Sequence, residues 1–205
     1  MSKAAKRTRL PAPARRSEIV GCALRLADKV GPDRLTTDMI AREIGITQPA
    51  IFRHFARKEE IWNAVGVRLG EKFAAAWQAA SADERPPADA IKALALAQIG
   101  AIRSTPGLIG VLFSRQLHVD NKALRSAINS SQRAFHALLS DAFRTGVASG
   151  EFRPDLEPSD AAFLVISVVQ SLALRWSLAG KSFDLASEAA RLLDAQIVGF
   201  RSQGR

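Results

Sequence analysis

The chain has 205 residues, 47% of them hydrophobic and 24% charged, with a net charge of +9; these are ordinary globular values, with ample material for a core. A single cysteine, Cys22, rules out an internal disulfide and supports no metal cluster, so a reducing cytoplasm is the expected location. No apolar segment follows the basic N-terminus as a secretory signal requires, and the longest apolar run, bracketed by Asp160 and Arg175, reads as too short to span a membrane; no membrane partner is expected.

Charge is concentrated at the start. Residues 1–16 carry Lys3, Lys6, Arg7, Arg9, Arg15 and Arg16 and no acid, giving +6, whereas residues 17–60 sum to zero and the rest contribute +3. Such an arm suits a polyanion (DNA, RNA or an anionic membrane) and equally suits a disordered solubilising tail. Pro11 and Pro13 disfavour helix before Arg15. From Ser17, a fitting N-cap, Ile19, Ala23, Leu26 and Val30 share one helical face, and Gly31-Pro32 stops the helix. A second, short helix is capped by Thr36 and ends at Gly45; a third runs from about Thr47 to Phe55, with Pro49 in its first turn, where a missing N–H costs nothing. Lys58 to Ala80 reads as a long helix with Ile61, Val65, Leu69, Phe73 and Trp77 at four-residue steps. Further helices are expected at about 88–104, 107–118, 121–149, 159–179 and 184–202, separated by Pro106-Gly107, Asp120-Asn121, the irregular "GEFRPDLEPSD" and Gly180. The chain is rich in alanine and leucine, lacks tyrosine, and shows no strand-period run. The fold class is therefore all-α, with about nine helices: a basic disordered arm (1–16), a three-helix DNA-binding domain (17–57) and a helical bundle (58–205).

Two short helices around a glycine turn, after a longer supporting helix, form the helix-turn-helix pattern. Ile19, Leu26, Met39, Ile40 and Ile44 supply a small core; Ile51 and Phe55 dock the third helix on it and leave its start exposed for the major groove. There Gln48 is suited to adenine, and Arg53 to guanine or a phosphate. The N–H groups at Thr36, Thr47 and near Lys58 are suited to phosphate oxygens.

The stretch "LTTDMIAREIGITQPAIFRHFARKEEIWNAV" resembles the DNA-binding segment of the TetR (tetracycline-repressor-like) family of bacterial transcriptional regulators. The likeness rests on Thr36-Thr37, Ile40-Ala41, Gly45-Ile46, the aromatic Phe52, His54-Phe55 and Lys58-Glu59-Glu60, and covers about residues 17–65. It implies base readout by Gln48, Pro49, Ala50 and Arg53, and backbone contacts by Thr36, Thr37, Phe52, His54 and Lys58. Two positions depart from the pattern. Phe52 replaces the usual tyrosine, so packing must carry that position, and Asp38 stands where some members place a basic residue. The basic arm has a use in an adjacent minor groove.

The resemblance also implies a ligand cavity in the second half, since a regulator needs a bound state that differs between DNA-competent and incompetent forms. Phe73, Trp77, Ile102, Phe113, Phe135, Leu139 and Trp176 are candidate lining, and Arg103, Arg115, His118 and Arg175 are candidate polar anchors; plain core packing, or for His118 a helix end, accounts for the same residues. Acids are scarce over 91–144, so a neutral or anionic apolar effector fits better than a cationic one. Small and aliphatic residues along the last two helices (Ala161, Ala162, Val165, Val168, Val169, Leu172; Ala186, Ala189, Ala190, Leu193, Ile197) fit either intrachain packing or a two-fold four-helix bundle, and the homodimer is preferred. No nucleophile elbow, phosphate loop or metal set stands out, so neither an enzyme nor a cofactor is expected. The expected function is a repressor released from palindromic double-stranded DNA by a small molecule. The alternative is a nucleoid-associated architectural binder without such a switch.

Overall fold

The computed structural model describes residues 10–202, and its first helix begins earlier than the sequence implied. α1 (Ala12–Val30) has Pro11 at its N-cap and Pro13 in its first turn, where proline's fixed φ suits a helix and no intrahelical N–H is lost. Arg15 and Arg16 are therefore helical rather than part of a disordered arm. Lys3, Lys6, Arg7 and Arg9 lie outside the described residues.

α2 (Thr37–Ile44) is capped by Thr36, whose side chain accepts from the Met39 N–H, and closes on Gly45 in the left-handed conformation at φ 66°. α3 is shorter than expected, Gln48–Phe52, and Thr47 occupies its N-cap without a side-chain hydrogen bond. Then come α4 (Lys58–Ala80), α5 (Pro87–Arg103), α6 (Leu108–Phe113), α7 (Arg115–Asp120), α8 (Lys122–Ala148), α9 (Pro158–Leu178) and α10 (Leu185–Val198). The expected helix at 107–118 is thus two, because Ser114 turns to extended backbone and caps α7 by accepting from the Leu117 N–H. The expected helix at 184–202 stops at Val198 because the chain turns back to the segment after α8: Arg153 N–H donates to the Phe200 carbonyl and Ser202 N–H to that of Glu151.

α4 is the spine. Its first turns bury Ile61, Trp62 and Val65, its later turns Leu69, Phe73 and Trp77, and it packs on α1, α5 and α8. One continuous apolar core therefore joins the DNA-binding helices to the body. Most of the small-residue stripe assigned to a dimer is spent inside this core: Ala161, Ala162, Val165, Val169 and Leu172 of α9 and Ala189, Leu193 and Ile197 of α10 are buried within the chain. The exposed apolar residues of the two helices are instead Phe163, Leu164, Leu178 and Val198. A second correction concerns α9, whose 21 residues are long and apolar enough to cross a membrane by length and composition. α8, α5, α10 and α6 contact it and bury part of its surface, while Phe163, Leu164 and Leu178 stay exposed.

The irregular connector after α8 carries a plug. Phe152 is fully buried, with its ring 5.2 Å from that of Phe143; Phe143 meets Phe200 edge-on at 5.3 Å. Gly146 gives this ring its room: a Cβ there would overlap Phe152 and lie 3.0 Å from the Pro87 Cβ. An alanine in mid-helix normally gains about 1 kcal/mol over glycine, but forcing a group into a filled core costs about 1–3 kcal/mol or more, and the enclosed ring has nowhere to go. Gly146→Ala is expected to destabilise by about 1–2 kcal/mol net and to lower the midpoint of thermal unfolding by about 2–8 °C in scanning calorimetry. A rise would show that the core around Phe152 has slack.

Candidate functional site

The third helix is seated by its apolar side and bare on the other. Ile51 and Phe55 are buried to 0% and 1% exposure, while Thr47, Gln48, Pro49 and Arg53 are exposed and Ala50, His54 and Lys58 half-buried. Gln48 is not a free side chain: its Nε2 donates to Thr37 Oγ1 at 2.8 Å, and Thr37 is buried at the start of α2. One amide proton is thereby committed and the rotamer restricted, while the amide oxygen and the second proton stay available. Thr36 accepts from Met39 N–H at 3.2 Å, which leaves its hydroxyl proton uncommitted. The acid at Asp38 is offset within α2 by Arg42 at 2.8 Å. Phe52 departs from expectation. It is 43% exposed, so it does not serve as a packing residue of its own fold and adds an apolar surface to the presented face.

Arg16 was missed as a structural partner of this face. Its guanidinium lies 4.0 Å from the centre of the Phe55 ring and donates to the His54 carbonyl, which ties the end of the helix-turn-helix to α1. An arginine 38 positions upstream gives no local pattern to read. Cys22 is packing: burial pushes its thiol above the ordinary range, so it remains protonated and unreactive.

In the body, a space of about 50 Å³ lies between α4, α5, α6, α8 and α9. Phe73, Trp77, Ile102, Phe113 and Phe135 line it, joined by Leu69, Ile109, Leu112, Ile128, Ile166, Val169 and four uncharged polar residues, Gln98, Ser131, Gln132 and Gln170. Phe73, Trp77 and Phe135 form a run of stacked rings, at 5.9 and 5.1 Å between centres, with the indole N–H of Trp77 satisfied by Gln98 at 2.9 Å. Leu139 and Trp176 do not reach the space. Leu139 is enclosed elsewhere in the core, and Trp176 donates its N–H to the Phe183 carbonyl at 3.1 Å. The four proposed anchors are also absent from the lining. Arg103 and Arg115 are exposed, Arg175 pairs with Glu188 at 2.7 Å, and His118 holds the Leu112 carbonyl at 3.1 Å. The lining is uncharged. The glutamines were missed because polar residues on helices carry no cavity signal.

α6 connects this space to the DNA-binding helices. Its Ile109, Leu112 and Phe113 form part of the wall, and each of its ends is held by a carboxylate of the DNA-binding unit. Asp28, near the end of α1, accepts from the Gly107 N–H at 3.0 Å and from Lys181 Nζ at 2.6 Å. Asp33, in the turn before α2, accepts from the Ser114 hydroxyl at 2.5 Å. Gly107 sits at φ 72° with Asp28 N and Ala27 Cβ within 3.1 Å of where a side chain would begin, so glycine is required for this approach.

Comparison with known proteins matches residues 19–65 to the model of bacterial regulatory proteins of the tetR family, and residues 117–191 to a tetracyclin repressor-like C-terminal domain. The chain belongs to the TetR family. As a TetR-family protein it is a DNA-binding transcriptional regulator. Among curated relatives, the nucleoid occlusion factor SlmA of Aliivibrio fischeri is 28% identical over 118 residues, 57% of this chain and 60% of the relative. SlmA of Haemophilus ducreyi is 27% identical over 100 residues, 49% and 50% of the two chains. The chain thus spans between half and three fifths of the length of these relatives. Similar solved structures include the ketosteroid transcriptional regulator KstR2 of Mycobacterium tuberculosis, with TM-score 0.76, 18% identity, and 98% and 100% of the two chains covered. FadR of Bacillus subtilis in complex with stearoyl-CoA has TM-score 0.74, 17% identity, and 90% and 99% coverage. AibR in complex with isovaleryl coenzyme A and operator DNA has TM-score 0.72, 17% identity, and 91% and 98% coverage. At these identities the likeness is one of fold.

For this TetR-family chain, Arg16 sets how firmly the recognition helix is held. A cation over an aromatic ring near the surface is worth about 0.5–1 kcal/mol and a hydrogen bond about as much again. Arg16→Ala is expected to cost about 1–2 kcal/mol and lower the unfolding midpoint by about 2–8 °C. Arg16→Lys should recover little, since a point charge cannot both cover the ring and reach the carbonyl. An unchanged midpoint in Arg16→Ala would contradict the assignment.

Proposed function

We propose that the protein is a cytoplasmic, homodimeric repressor that leaves a palindromic operator when a small apolar molecule enters the cavity. The observation that carries this reading is the double attachment of α6. The helix forms part of the cavity wall and is held at Gly107 and Ser114 by Asp28 and Asp33 of the DNA-binding unit. About 50 Å³ is well below the roughly 300–1,000 Å³ of sites for drug-sized ligands. An entering molecule must therefore displace the wall, and α6 cannot shift without pulling on α1 and the turn before α2. A rotation of each DNA-binding unit changes the spacing of the two recognition helices, and a palindrome one turn or a multiple apart is no longer met. The lining holds no carboxylate, which favours a neutral or anionic apolar molecule over a cation. The acyl-CoA thioesters in the FadR and AibR complexes support this class of effector. For the dimer, Leu164, Leu178 and Val198 on α9 and α10 are exposed by 50–80%, an apolar face that a second copy would cover.

Binding of the full-length protein to random duplex pools, followed by sequencing and by anisotropy titration of the selected duplex, tests the reading. A palindromic motif bound by a dimer, with affinity that falls steeply as salt rises, is expected. Gln48→Ala should cost about 1–3 kcal/mol on the selected sequence and relax preference at one position. Lys58→Ala should weaken all duplexes alike and flatten the salt slope by about one. Binding spread evenly over sequences would favour the architectural alternative, and a monomer bound to a single half-site would contradict the two-fold operator.

A further inference from the structure

A second space adjoins the cavity. Gln132, Ile166 and Gln170 border both the inner space and a surface groove between α8 and α9, so one aliphatic and two amide side chains stand between the two. The groove carries Arg133 and His136 on its α8 side and Phe163 and Ser167 on its α9 side. No acidic side chain lines either compartment. Arg133 donates to Ser130 Oγ at 3.0 Å, and no carboxylate pairs with it among the described residues. His136 is held in place by Ser159, whose carbonyl and hydroxyl oxygens lie 3.2 Å from its Nε2, and its ring lies 4.2 Å from that of Phe163.

From the inner space outward the side chains are graded: stacked Phe73, Trp77 and Phe135 inside, the Gln132 and Gln170 amides between the two spaces, and the Arg133 guanidinium, with no carboxylate partner among the described residues, at the outer groove, which becomes the mouth once those amides part. We propose that the effector is an acyl chain with an anionic end, seated with its hydrocarbon against the aromatic run and its anion against Arg133. This deepens the regulator reading and rests on it. The gradient is what such a molecule requires: its methylenes gain by leaving water, whereas its charge would be strongly destabilised in an uncharged cavity without a partner. At the mouth the charge stays hydrated and gains a charge-assisted hydrogen bond. A neutral hydrocarbon would gain nothing from Arg133, and a cationic amphiphile would meet a like charge there.

The free carboxylate and the coenzyme A thioester share this chemistry, and calorimetric titration of the full-length protein separates them. The probes are octanoate, octanoyl-CoA, methyl octanoate and octyltrimethylammonium. At least one of the two anions should bind, with methyl octanoate and octyltrimethylammonium each at least about tenfold weaker. Arg133→Ala should weaken the binding anion about tenfold and leave methyl octanoate unchanged. Which anion binds identifies the source. The proposal is overturned if neither anion binds, if the ester or the cation binds as tightly, or if Arg133→Ala leaves the anion's affinity as it was. Duplex binding by the unaltered protein, measured without amphiphile, stands apart from these outcomes. A failed titration with intact operator binding removes the ligand assignment and not the regulator reading.

Discussion

The Asp28 carboxylate is the joint on which the structure turns. One of its oxygens holds the backbone N–H that starts α6, and the other holds Lys181 at the turn between α9 and α10. Lys181 is itself in the left-handed region at φ 63°, an unfavourable conformation for lysine, and this aims its ammonium group at α1. With Asp33 holding the far end of α6, the DNA-binding unit is attached to the ligand-binding body through side chains as well as through α4. Each of these contacts is modest, since exposed ion pairs and hydrogen bonds are worth about 1 kcal/mol or less apiece. Modest contacts suit a switch, because an effector can only shift an equilibrium by its differential affinity for the two states.

The two halves of the chain solve different problems with the same helical material. The recognition helix needs rigidity, which comes from burial of Ile51 and Phe55 below it, Arg16 over Phe55, and Thr37 fixing Gln48. The proposed effector site needs room to open. Its lining rings stack without charge pairs, and its wall includes the six-residue α6, which ends on the half-exposed Phe113. A tight seat for the recognition helix and a short helix in the cavity wall are what the proposed effector-released repressor requires.

The DNA-binding half was largely legible because its determinants are local. Thr36, Gly45 and Pro49 mark helix ends through capping and turn chemistry within four residues, and the spacing of Ile40, Ile44, Ile51 and Phe55 shows which side is buried. What was not legible is long-range. The clamps from Asp28 and Asp33 span 79 and 81 positions, and neither acid differs locally from a solvated charge. Apolar periodicity marked α9 and α10 as having a face to cover, yet it could not tell a core stripe from an intersubunit one; Ala161, Val165 and Leu193 proved internal. The same blindness placed Leu139 and Trp176 in the cavity with Phe73 and Phe135, since sequence spacing reports burial and not what a side chain is buried against. The start of α1 was misjudged because Pro11 and Pro13 were read as breakers, whereas, like Pro49, they sit at a helix start, where proline is tolerated.

Coupling between two sites is reciprocal, which permits a test that needs no effector. Hydrogen–deuterium exchange of the full-length protein should be followed at Leu108–Phe113, with and without the selected duplex. If the clamps join α6 to the recognition helices, DNA binding should slow exchange in α6, and in an Asp28→Ala/Asp33→Ala variant that still binds duplex the slowing should be confined to α1–α3. Exchange in α6 that ignores DNA, or that slows equally in the variant, would contradict the account.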